Sequence, residues 1–319
     1  MSLYHVKNKQ LSPIAESKFD LEKDIQKLTE QNLQVVLGLT FVSGASNQEF
    51  SVRAQEQDFY IDTLAYDEEE KSFVIIEYKK DKSISVIDQG FAYLSAMLNH
   101  KADFVLEINE RLGRNFSKKD INWEQSRVIF ISPEFTNYQR NAINFKDLPI
   151  FLYEVKIYEN YLVDFNPIKP YRTTESINKL SADKTIQSVA KEVKVYAEED
   201  LLAKGNKTKE LYLSLKEKLQ VIDPSFVFHP TKNYIGVQIP GNWRNIIYIN
   251  FLSNKLSISF ARSQPSNFTD PKNKLVYSVN SMKHFNQHIT WYDVNNEEDI
   301  LYGVELFKQA YMRFKKEFA

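Results

Sequence analysis

Residues 73–79 read Phe-Val-Ile-Ile-Glu-Tyr-Lys, a strongly apolar run that ends in an acid and a base. Successive side chains of a strand point to opposite faces. Phe73, Ile75, Glu77 and Lys79 therefore share one face, and Val74, Ile76 and Tyr78 share the other. Charges that continue a core-facing row are costly unless they are paired or bound to metal. Asp62 lies fifteen residues before Glu77, in a second strand candidate over 58–66. The segment between the two, Asp67-Glu-Glu-Glu-Lys71, has no apolar residue and suits an exposed hairpin turn. Pairing about that turn brings Asp62 opposite the end of the strand over 72–79. Two carboxylates and an ammonium then meet in one small volume.

That grouping has a chemical use. Asp and Glu oxygens suit Mg²⁺, a hard cation that favours octahedral oxygen coordination and keeps several waters. A bound metal lowers the pKa of its water and neutralises charge on a phosphate. A lysine beside it orients the water or stabilises charge developing in the transition state.

The surrounding pattern is mixed α and β. Asp20 is expected to cap a helix over about 21–35, with Leu21, Ile25, Leu28 and Val35 at helical spacing. Strand candidates follow at 48–54, 58–66 and 72–79, forming a meander. A second amphipathic helix is expected over 84–99, from Ile84, Ile87, Phe91, Leu94 and Leu98. Further strands are expected at 127–132 and 151–158. Two prolines and a run of hydroxyl residues between Pro167 and Ser181 mark a boundary. It divides an α/β domain over 1–170 from a smaller α+β domain over 171–319. The second domain is expected to hold helices at about 184–203 and 207–221, then strands at 225–229, 233–239, 245–252 and 255–262 in a mostly antiparallel sheet. A long helix over 296–318 closes the chain, with Ile300, Val304, Phe307, Tyr311 and Phe314 on one face.

Asp62 followed by Glu77-Tyr78-Lys79, in an αβββαβ order, resembles the PD-(D/E)XK nuclease superfamily. Gln89-Gly-Phe-Ala-Tyr93 looks like the Q-x-x-x-Y element of its RecB-like branches, and residues four apart share a helical face. The likeness covers roughly residues 15–165. It is nearest to NucS-type endonucleases and to bacterial proteins catalogued as predicted transport proteins. The resemblance implies a restriction-endonuclease-like N-terminal domain that hydrolyses phosphodiester bonds in DNA with Mg²⁺ or Mn²⁺. It implies that Asp62 and Glu77 bind the metal, with the Tyr78 carbonyl as a further ligand, and that Lys79 assists attack. Gln89 and Tyr93 would shape the site, and Glu22 matches a glutamate that many members add. NucS-like members usually carry arginine two residues before the aspartate, where this chain has Tyr60. The alternative is an inactive nucleic-acid-binding or adaptor protein on the same fold. The second domain resembles a domain of unknown function, which supplies no chemistry and leaves substrate or partner recognition as its role.

Other motifs are weaker. Lys232, Tyr234, Trp243, Arg244, Tyr248, Lys255 and Arg262 interleave cations with aromatics, the composition of a single-strand nucleic-acid platform. An antiparallel sheet with aromatics inside and charges outside explains the same pattern. His284 and His288 are four apart, but Phe285 stands where a zinc hydrolase motif needs glutamate. The run Asp67–Glu70 lacks the glycine and spacing of a calcium loop and is expected to be a solvated turn.

Composition sets the limits. Of 319 residues 43% are apolar and 26% charged, enough for proper cores. Cysteine is absent, which excludes disulfides, thiol catalysis and cysteine-ligated metals. No apolar stretch is long enough to span a membrane, and the first residues lack a secretory pattern. A cytoplasmic protein without a membrane partner is expected. The net charge is −1, but residues 1–170 hold 20 Lys+Arg against 26 Asp+Glu, and 171–319 hold 21 against 16. A basic half joined to an acidic one is compatible with a nucleic-acid partner. The sequence leaves the oligomeric state open, a homodimer included.

Overall fold

The strands nearest the acid–base run belong to a seven-stranded mixed sheet. The computed structural model describes residues 3–19, 22–54, 57–79, 85–170, 175–177, 181–203, 205–285 and 287–318. The described residues form two compact units, Met1–Val195 and Tyr196–Ala319. Each is a mixture of helix and sheet.

The first unit begins with a hairpin of β1 (Tyr4–Lys7) and β2 (Gln10–Pro13), then β3 (Glu16–Ser17), α1 (Glu22–Gln31) and the single turn α2 (Leu33–Val36). Strands β4 (Thr40–Gly44), β5 (Phe50–Ala54), β6 (Gln57–Ile61), β7 (Thr63–Asp67) and β8 (Ser72–Tyr78) follow. Helices α3 (Val86–Asn99) and α4 (Lys101–Leu112) lead to β9 (Arg127–Ser132). Then come α5 (Asn137–Ala142), β10 (Ile150–Tyr158), β11 (Leu162–Ile168) and α6 (Lys184–Glu192).

The main sheet runs β11-β10-β9-β8-β7-β4, with β3 also on β10. Strands β4, β7 and β8 form an antiparallel meander. Strands β8, β9 and β10 are parallel, which needs long crossovers. Helices α3 and α4 supply the first of these. The alternation along β8 is the expected one. Phe73 and Ile75 pack with Phe91, Leu94 and Phe104 in one core, and Val74, Ile76 and Tyr78 pack with Ile25 and Leu33 in another. Burying each such side chain stabilises the fold by about 1.5–3 kcal/mol.

The strand expected over 58–66 is two strands. Asp62 forms a bend between them. Strand β6 pairs only with β5, as a separate hairpin, while β7 joins the main sheet between β4 and β8. The meander therefore uses β4, absent from the expected set, and the β5–β6 hairpin is an insertion in it. The first helix stops at Gln31, and Val35, expected on its apolar face, is 68% exposed. Asp20, Leu21 and Ile84 lie outside the described residues. Helix α3 starts after Ser85, whose hydroxyl accepts from the Asp88 amide at 3.3 Å. Such a cap contributes about 1 kcal/mol.

The division of the chain also differs, at 195/196 rather than 170/171. Pro167 lies in β11, an edge strand, where a missing amide hydrogen is tolerated. Beyond it Asp147 anchors the chain, accepting from the Ser176 hydroxyl and, at 2.9 Å, from the Ile177 amide. Ile177, Ile186, Val189 and Val193 then enter the first unit's core. Residues 171–174 and 178–180 lie outside the described residues.

The second unit holds α7 (Glu198–Leu202), α8 (Asn206–Ile222), β12 (Val227–Pro230), β13 (Tyr234–Gln238), β14 (Asn245–Phe251) and β15 (Leu256–Ala261). It ends with β16 (Val276–Tyr277), α9 (Ser281–Phe285), β17 (Ile289–Val294) and α10 (Glu297–Phe318). Its antiparallel sheet runs β12-β13-β14-β15-β17-β16. Strands β16 and β17 were not among the expected ones. Ile300, Val304, Phe307, Tyr311 and Phe314 of α10 are all buried in its core. No helix among the described residues is long and apolar enough to cross a membrane.

Candidate functional site

Glu77 is the hub of the site. It sits at the end of β8 on the side facing α3 and is buried. Lys79 Nζ lies 2.6 Å from its Oε1. Gln89 Nε2 donates to the same oxygen at 2.8 Å, and the Tyr93 hydroxyl donates to Oε2 at 2.7 Å. Gln89 and Tyr93 are one helical turn apart, with Nε2 and the hydroxyl 3.4 Å from each other. Burial first, and the Glu77 charge next, keep the Tyr93 phenol protonated well above its usual range. Gln89 Oε1 is buried and has no hydrogen-bond partner among the described residues.

Asp62 joins from the other side of the strand end. The Tyr78 main-chain amide donates to its Oδ2 at 3.0 Å. Its carboxyl is pushed up to about 7. Burial is the main cause and the neighbouring Glu77 the second; the Tyr78 amide and Lys79 pull the other way, and Glu22 adds a smaller repulsion. Asp62, Glu77, Lys79, Gln89 and Tyr93 thus come together, with Glu22 within electrostatic reach. The Tyr78 phenol points into the opposite core, where burial raises its pKa and the Thr63 hydroxyl bonds it at 3.3 Å.

The sequence reading missed the polar group that holds Asp62 in place. Gln26 Nε2 donates to the Asp62 carbonyl at 2.7 Å and to Glu30 Oε1 at 3.1 Å. Glu30, buried on α1, also accepts from the amides of Ala45 and Ser46 at 3.0 and 2.8 Å and from the Thr63 hydroxyl at 2.6 Å. The clue lies in the spacing: Gln26 and Glu30 are four apart, share one side of α1 and adjoin the buried Ile25, so polar residues face inward on α1.

Among the described residues, no group of three or more His, Asp or Glu side chains is placed to hold a metal. The donors at the site are two carboxylates. The acidic run forms the expected turn between β7 and β8, but it is half-buried and paired, and Asp67 itself ends β7. Asp67 pairs with Arg127 at 2.7 Å and accepts from the amides of Glu69 and Glu70, and Glu68 pairs with Arg114 at 2.6 Å. His288 is bonded to the Tyr277 hydroxyl at 2.6 Å. The His284 side chain lies outside what is described.

In the second unit most of the cation–aromatic set is engaged with neighbours of its own unit. Tyr234 and Tyr248 meet edge to face, 5.0 Å between centroids. Trp243 and Arg244 lie in the loop before β14, and the Arg244 guanidinium stacks on Trp243 and Phe318 at 4.3 and 4.8 Å. Arg262 packs on Phe314 and Phe318 and donates to the Asn245 carbonyl. Lys255 pairs with Asp293. Lys232 is exposed. Arg244, Lys255 and Arg262 thus have contacts within their own unit.

No protein-family model matches the chain, and no solved structure matches it. A Haemophilus influenzae protein described as "Uncharacterized protein" is 38% identical over 312 residues, covering 97% of this chain and 99% of the relative. The chain belongs to the same family as that Haemophilus influenzae protein.

Proposed function

We propose that the chain is a cytoplasmic, metal-dependent nuclease that hydrolyses phosphodiester bonds in DNA, on a PD-(D/E)XK-type domain. The observation that carries this reading is the convergence, at one strand end, of Asp62, Glu77 and Lys79 with Gln89 and Tyr93 behind them. Asp62 is half-buried beside a second carboxylate, and one lysine does not offset both. A divalent cation fits this donor set, since Mg²⁺ is commonly held by one or two carboxylates, with waters and substrate phosphate completing its shell. Asp62, Glu77 and the Tyr78 carbonyl would hold Mg²⁺ or Mn²⁺. When bound, the ion lowers the pKa of a water ligand and neutralises phosphate charge.

The chain's own groups do the rest. The Tyr78 amide and Gln26 fix Asp62 through its carboxylate and its carbonyl. Gln89 and Tyr93 fix Glu77 through both oxygens. Lys79 places a positive charge where a nucleophile's proton is withdrawn and where charge builds on phosphorus oxygens. Glu22 adds negative charge that favours a cation at the site.

One observation favours a second reading, a non-catalytic nucleic-acid-binding or adaptor protein. Both oxygens of Glu77 are already taken by Lys79, Gln89 and Tyr93, as in a purely structural cluster. The deciding experiment incubates wild type, Asp62→Ala and Lys79→Ala with single-stranded, duplex, branched and mismatched DNA and with RNA, in Mg²⁺, Mn²⁺ or EDTA. The nuclease reading expects metal-dependent cutting of DNA by wild type alone. Wild type that binds DNA without cutting it points to the adaptor.

A further inference from the structure

The β5–β6 hairpin leads straight into Asp62. Its register sets Ser51 opposite Tyr60 and Arg53 opposite Asp58. Phe50, Val52 and Ile61 point inward and are buried in the first unit's core, with Phe50 edge-on to Phe104 at 4.9 Å. Alternation then puts Ser51, Arg53, Asp58 and Tyr60 on the outer face, and all four are exposed. Tyr60 is 61% exposed. Among the described residues neither the Tyr60 hydroxyl nor the Arg53 guanidinium takes a hydrogen bond or ion pair, and Asp58 does not reach Arg53 although it stands opposite. Tyr60 and Arg53 are diagonal neighbours on that face, roughly 7–8 Å apart along the diagonal and somewhat less between Cβ atoms.

The hairpin core is apolar and anchored, so its outer face is presented rigidly. A bare aromatic ring beside a guanidinium with no partner among the described residues suits a nucleotide, whose base stacks on the ring and whose phosphate meets the cation. Tyr60 precedes Asp62 by two residues, about 7 Å of strand. A nucleotide held there is adjacent to the phosphate at the carboxylates. A blunt duplex hides the faces of its bases in its own stack, so only an unpaired base can use the ring.

We propose that Tyr60 and Arg53 form a landing site for an unpaired stretch of the DNA strand that enters the Asp62–Glu77 site, which makes the substrate single-stranded or tailed DNA. This rests on the nuclease reading.

The test measures fluorescence anisotropy of the full chain, in EDTA, with three labelled DNAs: a single strand, a blunt duplex of the same sequence, and that duplex with a single-stranded tail. Tyr60→Ala should weaken binding of the single strand and the tailed duplex about tenfold or more. Tyr60→Phe should bind as wild type. Arg53→Ala should weaken binding and lower the salt dependence by about one phosphate contact. The blunt duplex should be unaffected by Tyr60→Ala. Unchanged single-strand affinity in Tyr60→Ala, or an equal loss on the blunt duplex, overturns the proposal. If wild type cuts DNA while Tyr60→Ala binds and cuts as well, only the landing site fails. If wild type neither binds nor cuts any of the DNAs, the nuclease reading fails with it.

Discussion

Asp62 Oδ2 accepts the main-chain amide of Tyr78 at 3.0 Å, so a side chain at a bend completes the hydrogen bonding of a strand end in the main sheet. The bend and the carboxylate position are one feature. Asp62→Asn keeps an oxygen for the Tyr78 amide and removes the charge. It should fold with a normal circular dichroism spectrum, bind DNA, and show no metal-dependent cutting above the EDTA control. Retained cutting would place the metal elsewhere.

Lys79→Ala separates charge from scaffold. Among the described residues its ammonium bonds Glu77 Oε1 alone, which Gln89 also serves, so the fold should survive. The rate of DNA cutting should fall roughly 10²–10³-fold, the cost of losing one well-placed electrostatic donor. Single-turnover rates at saturating Mg²⁺ would measure this; a drop below threefold would remove Lys79 from the chemistry.

The Asp62 carboxyl gives the metal-free protein a pH dependence. Its pKa is about 7 in the fold against 3.8 in the unfolded chain. Between those values the folded state holds the proton that the unfolded state has released. Stability from this group is therefore fully present below about pH 4 and is lost as pH rises through about 7. In EDTA, Asp62→Asn should flatten that fall, and Mg²⁺ should raise the wild-type melting temperature more at pH 8 than at pH 5. A wild-type curve that matches Asp62→Asn across pH 5–8 would contradict the assignment.

Glu77→Ala removes one partner from Lys79, Gln89 and Tyr93 at once. Breaking a buried ion pair from one side costs about 3–5 kcal/mol. Urea unfolding should show that loss, with Glu77→Gln costing less because it keeps the shape and an accepting oxygen. Equal stability of Glu77→Ala and wild type would mean the cluster does not form.

Gly44 tests the support behind Asp62. A methyl group there would overlap Glu30 Oε1 and stand 2.8 Å from the Asp62 carbonyl. Glu30 cannot swing away without releasing Ala45, Ser46 and Thr63. Gly44→Ala should destabilise by about 1–3 kcal/mol and reduce cutting beyond what that loss explains, as urea curves and rates together would reveal.

The β8 faces and the α3 pair Gln89–Tyr93 were legible because strand and helix periods fix which side chains are neighbours. The hinge at Asp62 was not. Residues 58–66 are strand-like throughout, and no proline or glycine marks the break; it follows from pairing with β4, a partner distant in sequence. Strand β4 itself is five residues ending in Ser43 and Gly44, too short for alternation to declare it. In β17, Thr290 and Asp293 interrupt the apolar signal. Pro167 was a real breaker cue, but for a sheet edge rather than the end of a domain. Glu30 and Gln26 were hidden because a polar side chain on a helix reads as exposed until its partners are known.

Helix α6 packs on α3, the helix that carries Gln89 and Tyr93, and adds Ile186, Val189 and Val193 to its core. A growing chain on the ribosome can therefore complete the sheet and bring Asp62 to Glu77 by residue 168, yet α3 stays bare on its outer side. The seat of Gln89 and Tyr93 closes only when residues near 195 have emerged. Translation thus delivers the carboxylates first and the cover of the helix that steadies them last.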